Sequence, residues 1–149
     1  MPADAEELFN YTGDLISSRY LARRPHVNSV QTSNMLARLS TPDSLNTHGK
    51  CVWVINLDTI IAPIGIITLV KELTSVEIHF GLQQKFTGNG FAREALSLAA
   101  NHCSTSYVSH KIISYTDQEN VAAQAVLIAA GFEHTGSQEA FYVAPQIAN

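Results

Sequence analysis

The segment Phe86-Thr87-Gly88-Asn89-Gly90-Phe91-Ala92 has the make-up of an anion cradle. It follows an apolar run, Val76 to Leu82, and leads into an amphipathic stretch that begins near Gly90. Glycines at 88 and 90 let the backbone turn sharply and gather several peptide N–H groups at a helix start, where four donors lack intrahelical partners. The partial positive charge of the helix terminus adds to those donors, so a pyrophosphate can be held by main chain alone. Glycine also serves pure turn geometry in strand-to-helix connections that bind nothing. Just upstream, Glu77 and His79 stand two apart in the apolar run, hence on one face of a strand, and either can act as a base toward an ammonium, directly or through water. The structural alternative is a solvated carboxylate at a sheet edge and a hydrogen-bonded core histidine.

The elements that must position these groups follow from periodicity. Ala5 to Tyr11, Leu15 to Leu21 and Val27 to Leu39 carry helical spacing, the last with Val30, Met35, Leu36 and Leu39 as its apolar residues. Lys50 to Leu57 and Ala62 to Lys71 are rich in Val, Ile and Trp, with Asp58-Thr59 as a hairpin turn, and a third strand is predicted over Ser75 to Leu82. Ala92, Ala95, Leu96, Ala99 and Cys103 fall on one face of the next helix, which is expected to pack on the sheet. Ile112 to Tyr115 reads as a strand, Asn120 to Ala130 as a helix stopped by Gly131, and Phe141 to Val143 as a short last strand. The order is helices, three meandering strands, glycine loop, helix, strand, helix, strand. It predicts an α+β domain with a mixed sheet, not a doubly wound fold.

Composition bounds the partners. A chain of 149 residues with 46% hydrophobic and 15% charged residues is most simply one globular domain, residues 1–149. Thirteen acidic against nine basic residues give a net charge of −4, and only Arg23-Arg24 are paired, so no nucleic-acid footprint is expected. The acidic opening Met-Pro-Ala-Asp-Ala-Glu-Glu does not resemble a secretory signal, and Asn56, Asp58 and Pro63 interrupt the most apolar stretch; a cytoplasmic protein without a membrane span is the expectation. Cys51 and Cys103 lack neighbouring ligand spacings, so they are read as reduced, buried small hydrophobes, with no metal site.

Three segments together resemble the GNAT superfamily of N-acetyltransferases: Val76-Glu77-Ile78-His79-Phe80-Gly81-Leu82, Thr87 through Ala95, and Asn120 through Phe132. Glu94-Ala95-Leu96, the turn Asp117 to Ala122 and the ending Ala130-Gly131-Phe132-Glu133 are similar to the branch that contains ribosomal-protein N-terminal-alanine acetyltransferases. The likeness runs from about Ala3 to Gly136. It implies a mixed, mostly antiparallel sheet flanked by helices, with acetyl-CoA as cosubstrate held where two strands splay apart. By residue, it implies that the backbone of Phe80 and Leu82 meets the pantetheine amides. It puts Gly88, Asn89, Gly90, Phe91 and Ala92 on the pyrophosphate and Asn120 near the thiol end. Glu77 is then the first candidate base, with His79 beside it.

The departures carry expectations too. Thr87 stands where the family has glutamine or arginine, so a side-chain phosphate contact is missing unless Lys85 or Arg93 compensates. Leu127 and Ala123 replace a tyrosine and a serine of relatives, which removes a dedicated general acid; a thiol of pKa about 8.5 can leave without one. The family's first strand has no counterpart before the first helix, which predicts an open sheet edge that a partner, such as a second copy, could cover. The leading expectation is an N-acetyltransferase of a primary amine, either a polypeptide amino terminus or a small amine. The alternative is a catalytically weak acyl-CoA-binding or interaction module. A dinucleotide-binding enzyme is disfavoured, because its glycine loop should follow the first strand and three strands precede this one.

Overall fold

The computed structural model describes residues 44–57, 60–116, 119–135 and 140–143, with Val30, residues 33–35 and Ala37; for 60–62 and 140–143 it describes the backbone only. In chain order the elements are α1 (Ser44–His48), β1 (Lys50–Leu57), β2 (Ile60–Lys71), β3 (Ser75–Leu82), a 3-10 turn (Gln84–Phe86), α2 (Phe91–Ser106), β4 (Lys111–Thr116), α3 (Val121–Ala129), β5 (Glu133–His134) and β6 (Ala140–Val143). The strands form one sheet in the order β1-β2-β3-β4-β6-β5. Every neighbouring pair is antiparallel except β3 with β4, which are joined through α2 and run parallel.

The sheet's α2 face is set by alternation. Cys51, Trp53 and Ile55 of β1, Ile67 and Leu69 of β2, Val76, Ile78 and Phe80 of β3 and Ile112 of β4 share one side. Helix α2 meets them with Leu96, Ala99, Ala100 and Cys103, an i, i+3, i+4, i+7 stripe, and the alanines let helix and sheet approach closely. Leu127 of α3 and Phe132 complete this core. Each fully buried leucine or isoleucine here contributes roughly 2 kcal/mol from lost apolar surface. Gly131 ends α3 with φ 95°, as its position after the apolar run predicts.

Strands β1 and β3 have the predicted bounds, whereas β2 starts at Ile60. Pro63 sits inside β2 where the β1 register shifts twice, between Ile55 and Leu57, and a bulge is where a strand tolerates proline. Val30, residues 33–35 and Ala37 are helical, but Val30 is exposed and not part of an apolar face. The earlier helices, Leu36, Leu39, the Asp58-Thr59 turn and the expected absence of a strand before the first helix lie outside the described residues. Helix α1 and strand β5 were not predicted; both are too short to show a period. Cys51 and Cys103 are free, buried and in the same core. Burial, and then the neighbouring Cys51, push the Cys103 thiol up to about 11.

Candidate functional site

Strand β3 is paired along β2 from Gly65↔Leu82 to Lys71↔Val76, but along β4 only at Ser75↔Lys111, Val76↔Ile112 and Glu77↔Ile113. Beyond Glu77 the two strands part. The direction of the freed backbone groups follows from the ladder's alternation. Gln83 N–H donates to Ile64 O at 2.8 Å and Glu72 N–H to Ser75 O at 2.8 Å, so odd-numbered residues of β3 bond to β2. The N–H and C=O groups of Phe80 and Leu82 therefore aim into the opening, where β4 gives them no rung. These are the two residues singled out from the sequence for amide contacts, and an extended chain with its own amides could add there as a strand does.

Glu77 lies on the last rung, and His79 is two residues further along the opening, on the face away from α2. Their side chains meet, His79 Nε2 to Glu77 Oε2 at 3.3 Å, with His79 36% and Glu77 20% exposed. Glu77 is thus not a sheet-edge carboxylate, since β2 and β4 flank it, and His79 is not in the core. The pair is a partly sheltered carboxylate and imidazole in contact, able to take up a proton and share it.

The glycine loop begins where β3 ends, so loop and opening share one end of the sheet. Gly88 and Gly90 have φ 83° and 82°, the left-handed region, and a Cβ at either would meet open space. Conformation, not crowding, requires glycine there. Gly90 caps α2 without a side-chain hydrogen bond, and Glu94 N–H donates to Gly90 O at 3.1 Å. Among the described residues no side chain caps the helix start, the arrangement that an anion site needs. Thr87 Oγ donates to Gln84 O at 2.8 Å, closing the 3-10 turn, and Asn89 Nδ2 donates to Thr87 O at 3.2 Å. Both polar side chains thus shape the loop, and the Thr87 hydroxyl proton is engaged within it.

Asn120 caps α3, its Oδ1 accepting from Ala123 N–H at 3.1 Å. Its structural role is present, and a contact with a cofactor is compatible with it. Leu127 is fully buried, and Ala123 is half-buried. Two residues that sequence reasoning missed hold the site's frame. Gln83 is buried, and its Nε2 donates to Pro63 O at 2.9 Å, so side chain and backbone both pin the end of β3 to β2. Ser114 is 1% exposed, and its Oγ donates to Ile78 O at 2.7 Å, at the point where β3 and β4 part. Neither carries a sequence signal beyond a polar residue in an apolar run. Among the described residues no cluster of three His, Cys, Asp or Glu could hold a metal ion, and no helix is long and apolar enough to cross a membrane.

Solved structures share this fold. A GNAT-family acetyltransferase from Bacillus anthracis superposes with a TM-score of 0.81 at 18% identity, covering 98% of this chain and 91% of that one. Spermidine N-acetyltransferase from Vibrio cholerae, solved with CoA and spermine, gives 0.73 at 17% identity over 94% and 87%. The ribosomal-protein-S5-alanine acetyltransferase from Vibrio fischeri gives 0.71 at 17% over 95% and 86%. At such identities these likenesses establish the fold alone. Among curated proteins, none matches the chain by sequence. The acetyltransferase (GNAT) domain family does, over residues 1–133, and with the split sheet and the glycine-capped α2 this places the chain in the GNAT acetyltransferase family.

Proposed function

We propose that the protein is an acetyl-CoA-dependent N-acetyltransferase of primary amines. The observation that carries the reading is the coincidence, at one end of β3, of strand amides that β4 leaves without a rung and a helix start that no described side chain caps. An acyl-CoA has both complements, a pantetheine arm with amides and a pyrophosphate. Phe80 and Leu82 bind the arm through backbone, Gly88, Asn89, Gly90, Phe91 and Ala92 receive the pyrophosphate, and Asn120 borders the thiol end. The cosubstrate supplies a thioester, whose carbonyl is open to an amine and whose thiolate is a good leaving group.

Glu77 accepts the proton of the acceptor's ammonium and His79, in contact and more exposed, passes it toward solvent. The neutral amine forms the C–N bond as the C–S bond breaks, and the surplus proton on the nitrogen passes, through solvent, to the departing thiolate, leaving a neutral amide and free CoA thiol. Support for an amine acceptor also comes from the Vibrio cholerae neighbour, whose bound spermine is a polyamine. A polypeptide amino terminus is the other acceptor that this chemistry serves.

A second reading is favoured by one observation. Leu127, in place of the family's tyrosine, is fully buried and apolar, so α3 offers no proton to the departing sulfur. The chain is then an acyl-CoA-binding module of low turnover. Melting-temperature shifts with acetyl-CoA, CoA and NAD test both, since ligand at 100 times its dissociation constant stabilises by about 2.7 kcal/mol. A shift with acetyl-CoA and CoA but not NAD supports the cradle, and amine-dependent CoA release then separates enzyme from module. No shift with either CoA species would overturn the proposal.

A further inference from the structure

The parting of β3 from β4 begins at a defined residue, and a side chain marks it. Lys111 N–H donates to Thr74 O at 2.9 Å, and the parallel rungs follow in steps up to Glu77↔Ile113. The next rung would join Ile78 to Ser114. It is not made by backbone; the Ser114 hydroxyl donates to Ile78 O instead, at 2.7 Å, with both residues buried. A side chain stands where a direct bond would draw the strands to their usual spacing of about 4.8 Å.

We infer that Ser114 is a positioning residue, a hydroxyl strut that sets where the sheet opens for the acyl-CoA arm. This rests on the function proposed above. Two physical reasons support it. Opening a sheet within a core leaves a carbonyl without its ladder partner, and a buried unpaired carbonyl is costly; the Ser114 hydroxyl satisfies it without closing the gap. The strut also fixes the opening at Ile78, between Glu77 and His79, so it sets the depth of the arm relative to the two candidate bases. With alanine at 114 the carbonyl of Ile78 is restored to a partner most simply by one more backbone rung. That rung runs from Tyr115 N–H to Ile78 O and brings Tyr115 O within reach of the Phe80 N–H, which is thereby taken from the ligand.

The test uses the full chain with Ser114→Ala and Ser114→Thr, the latter keeping the hydroxyl. Calorimetric titration with CoA at a temperature well below unfolding reads the fraction that is folded, so lost stability alone does not move it. Ser114→Ala is expected to raise the CoA dissociation constant about tenfold, the scale of one hydrogen bond, and to slow exchange of the Phe80 amide in the ligand-free protein by a similar factor. Ser114→Thr should stay within about twofold of the parent in both. If the alanine variant binds CoA like the parent and its Phe80 amide exchanges at the parent rate, Ser114 merely packs and the inference is overturned. If the parent itself does not bind CoA, the acyl-CoA reading fails on its own, and the Phe80 exchange rate alone decides whether Ser114 holds the strands apart. Should Ser114→Ala not fold, Ser114→Cys, with its poorer donor, is expected to shift both readouts in the same direction by less, and parent-like values in it would overturn the inference.

Discussion

The two flanks of β3 are built in opposite ways. Toward β2 the ladder is complete, Gln83 adds a buried clamp to Pro63 O, and the backbones pass so closely that a Cβ on Gly65 would collide with Gly81 O. Toward β4 the ladder stops at Glu77, a hydroxyl replaces the next rung, and amides are left facing outward. A strand can offer one edge to a ligand without fraying only if the other edge holds it, so the rigid flank is what makes the open flank specific.

The sharpest way to break this contrast is to introduce a Cβ on the closed flank. Gly65→Ala, which meets the Gly81 carbonyl first and the Leu82 side chain and Cα behind it, is expected to cost about 4 kcal/mol or more and to unfold the domain in urea melts. The identical change at Gly90 enters open space, so the two glycines should differ by several kcal/mol despite their shared identity. Next in size, Leu127→Ala leaves a cavity beneath α3 and should cost about 3 kcal/mol by denaturant midpoint, with no gain of activity. On the open flank, Glu77→Gln should lower kcat about 100-fold, equivalent to about 2.7 kcal/mol, with CoA affinity unchanged; an unaltered pH–rate profile would remove Glu77 as the base.

Smaller is a pH effect from the shared core. The Cys103 thiol titrates near 11 folded against 9.0 unfolded, so the folded state holds its proton more tightly. Stability from this group is complete below pH 9 and is lost as pH rises toward 11, by on the order of 2 kcal/mol, and Cys103→Ala should flatten that part of the alkaline melting curve. Smallest is Gly90→Ala, about 1 kcal/mol for a left-handed alanine in thermal melts.

Legibility followed how local each signal was. Lys50–Leu57 and Ser75–Leu82 were readable to the residue because β-branched runs end at turn formers, and α2 because a glycine pair precedes a clear stripe. Phe80 and Leu82, which the family resemblance and not periodicity singled out, lie on the part of β3 that β4 does not pair. The start of β2 was set two residues late, at Ala62 instead of Ile60, because Ile60 and Ile61 adjoin the turn formers Asp58-Thr59 and the length of a hairpin turn has no period to read. Glu77 and His79 were rightly put on one face, but their mutual contact and the interior place of β3 needed the sheet order, which no local pattern contains. Ser114 was invisible for the same reason: in Ile-Ile-Ser-Tyr it is one polar interruption, and its partner lies 36 residues away.

That distance bears on how the protein is assembled. The hairpins β1–β2 and β2–β3 close short loops, whereas the short seam between β3 and β4 must first draw in a 36-residue excursion through α2, an entropic cost that local contacts do not repay. The seam is therefore expected to form after the two hairpins and to open before them, an order that amide exchange in β4 against β2 would read. A partly folded chain can own its meander and still have no cleft, so ligand capture reports completion of the fold, and a ligand that bridges the two sides acts as the stitch that the short ladder leaves out.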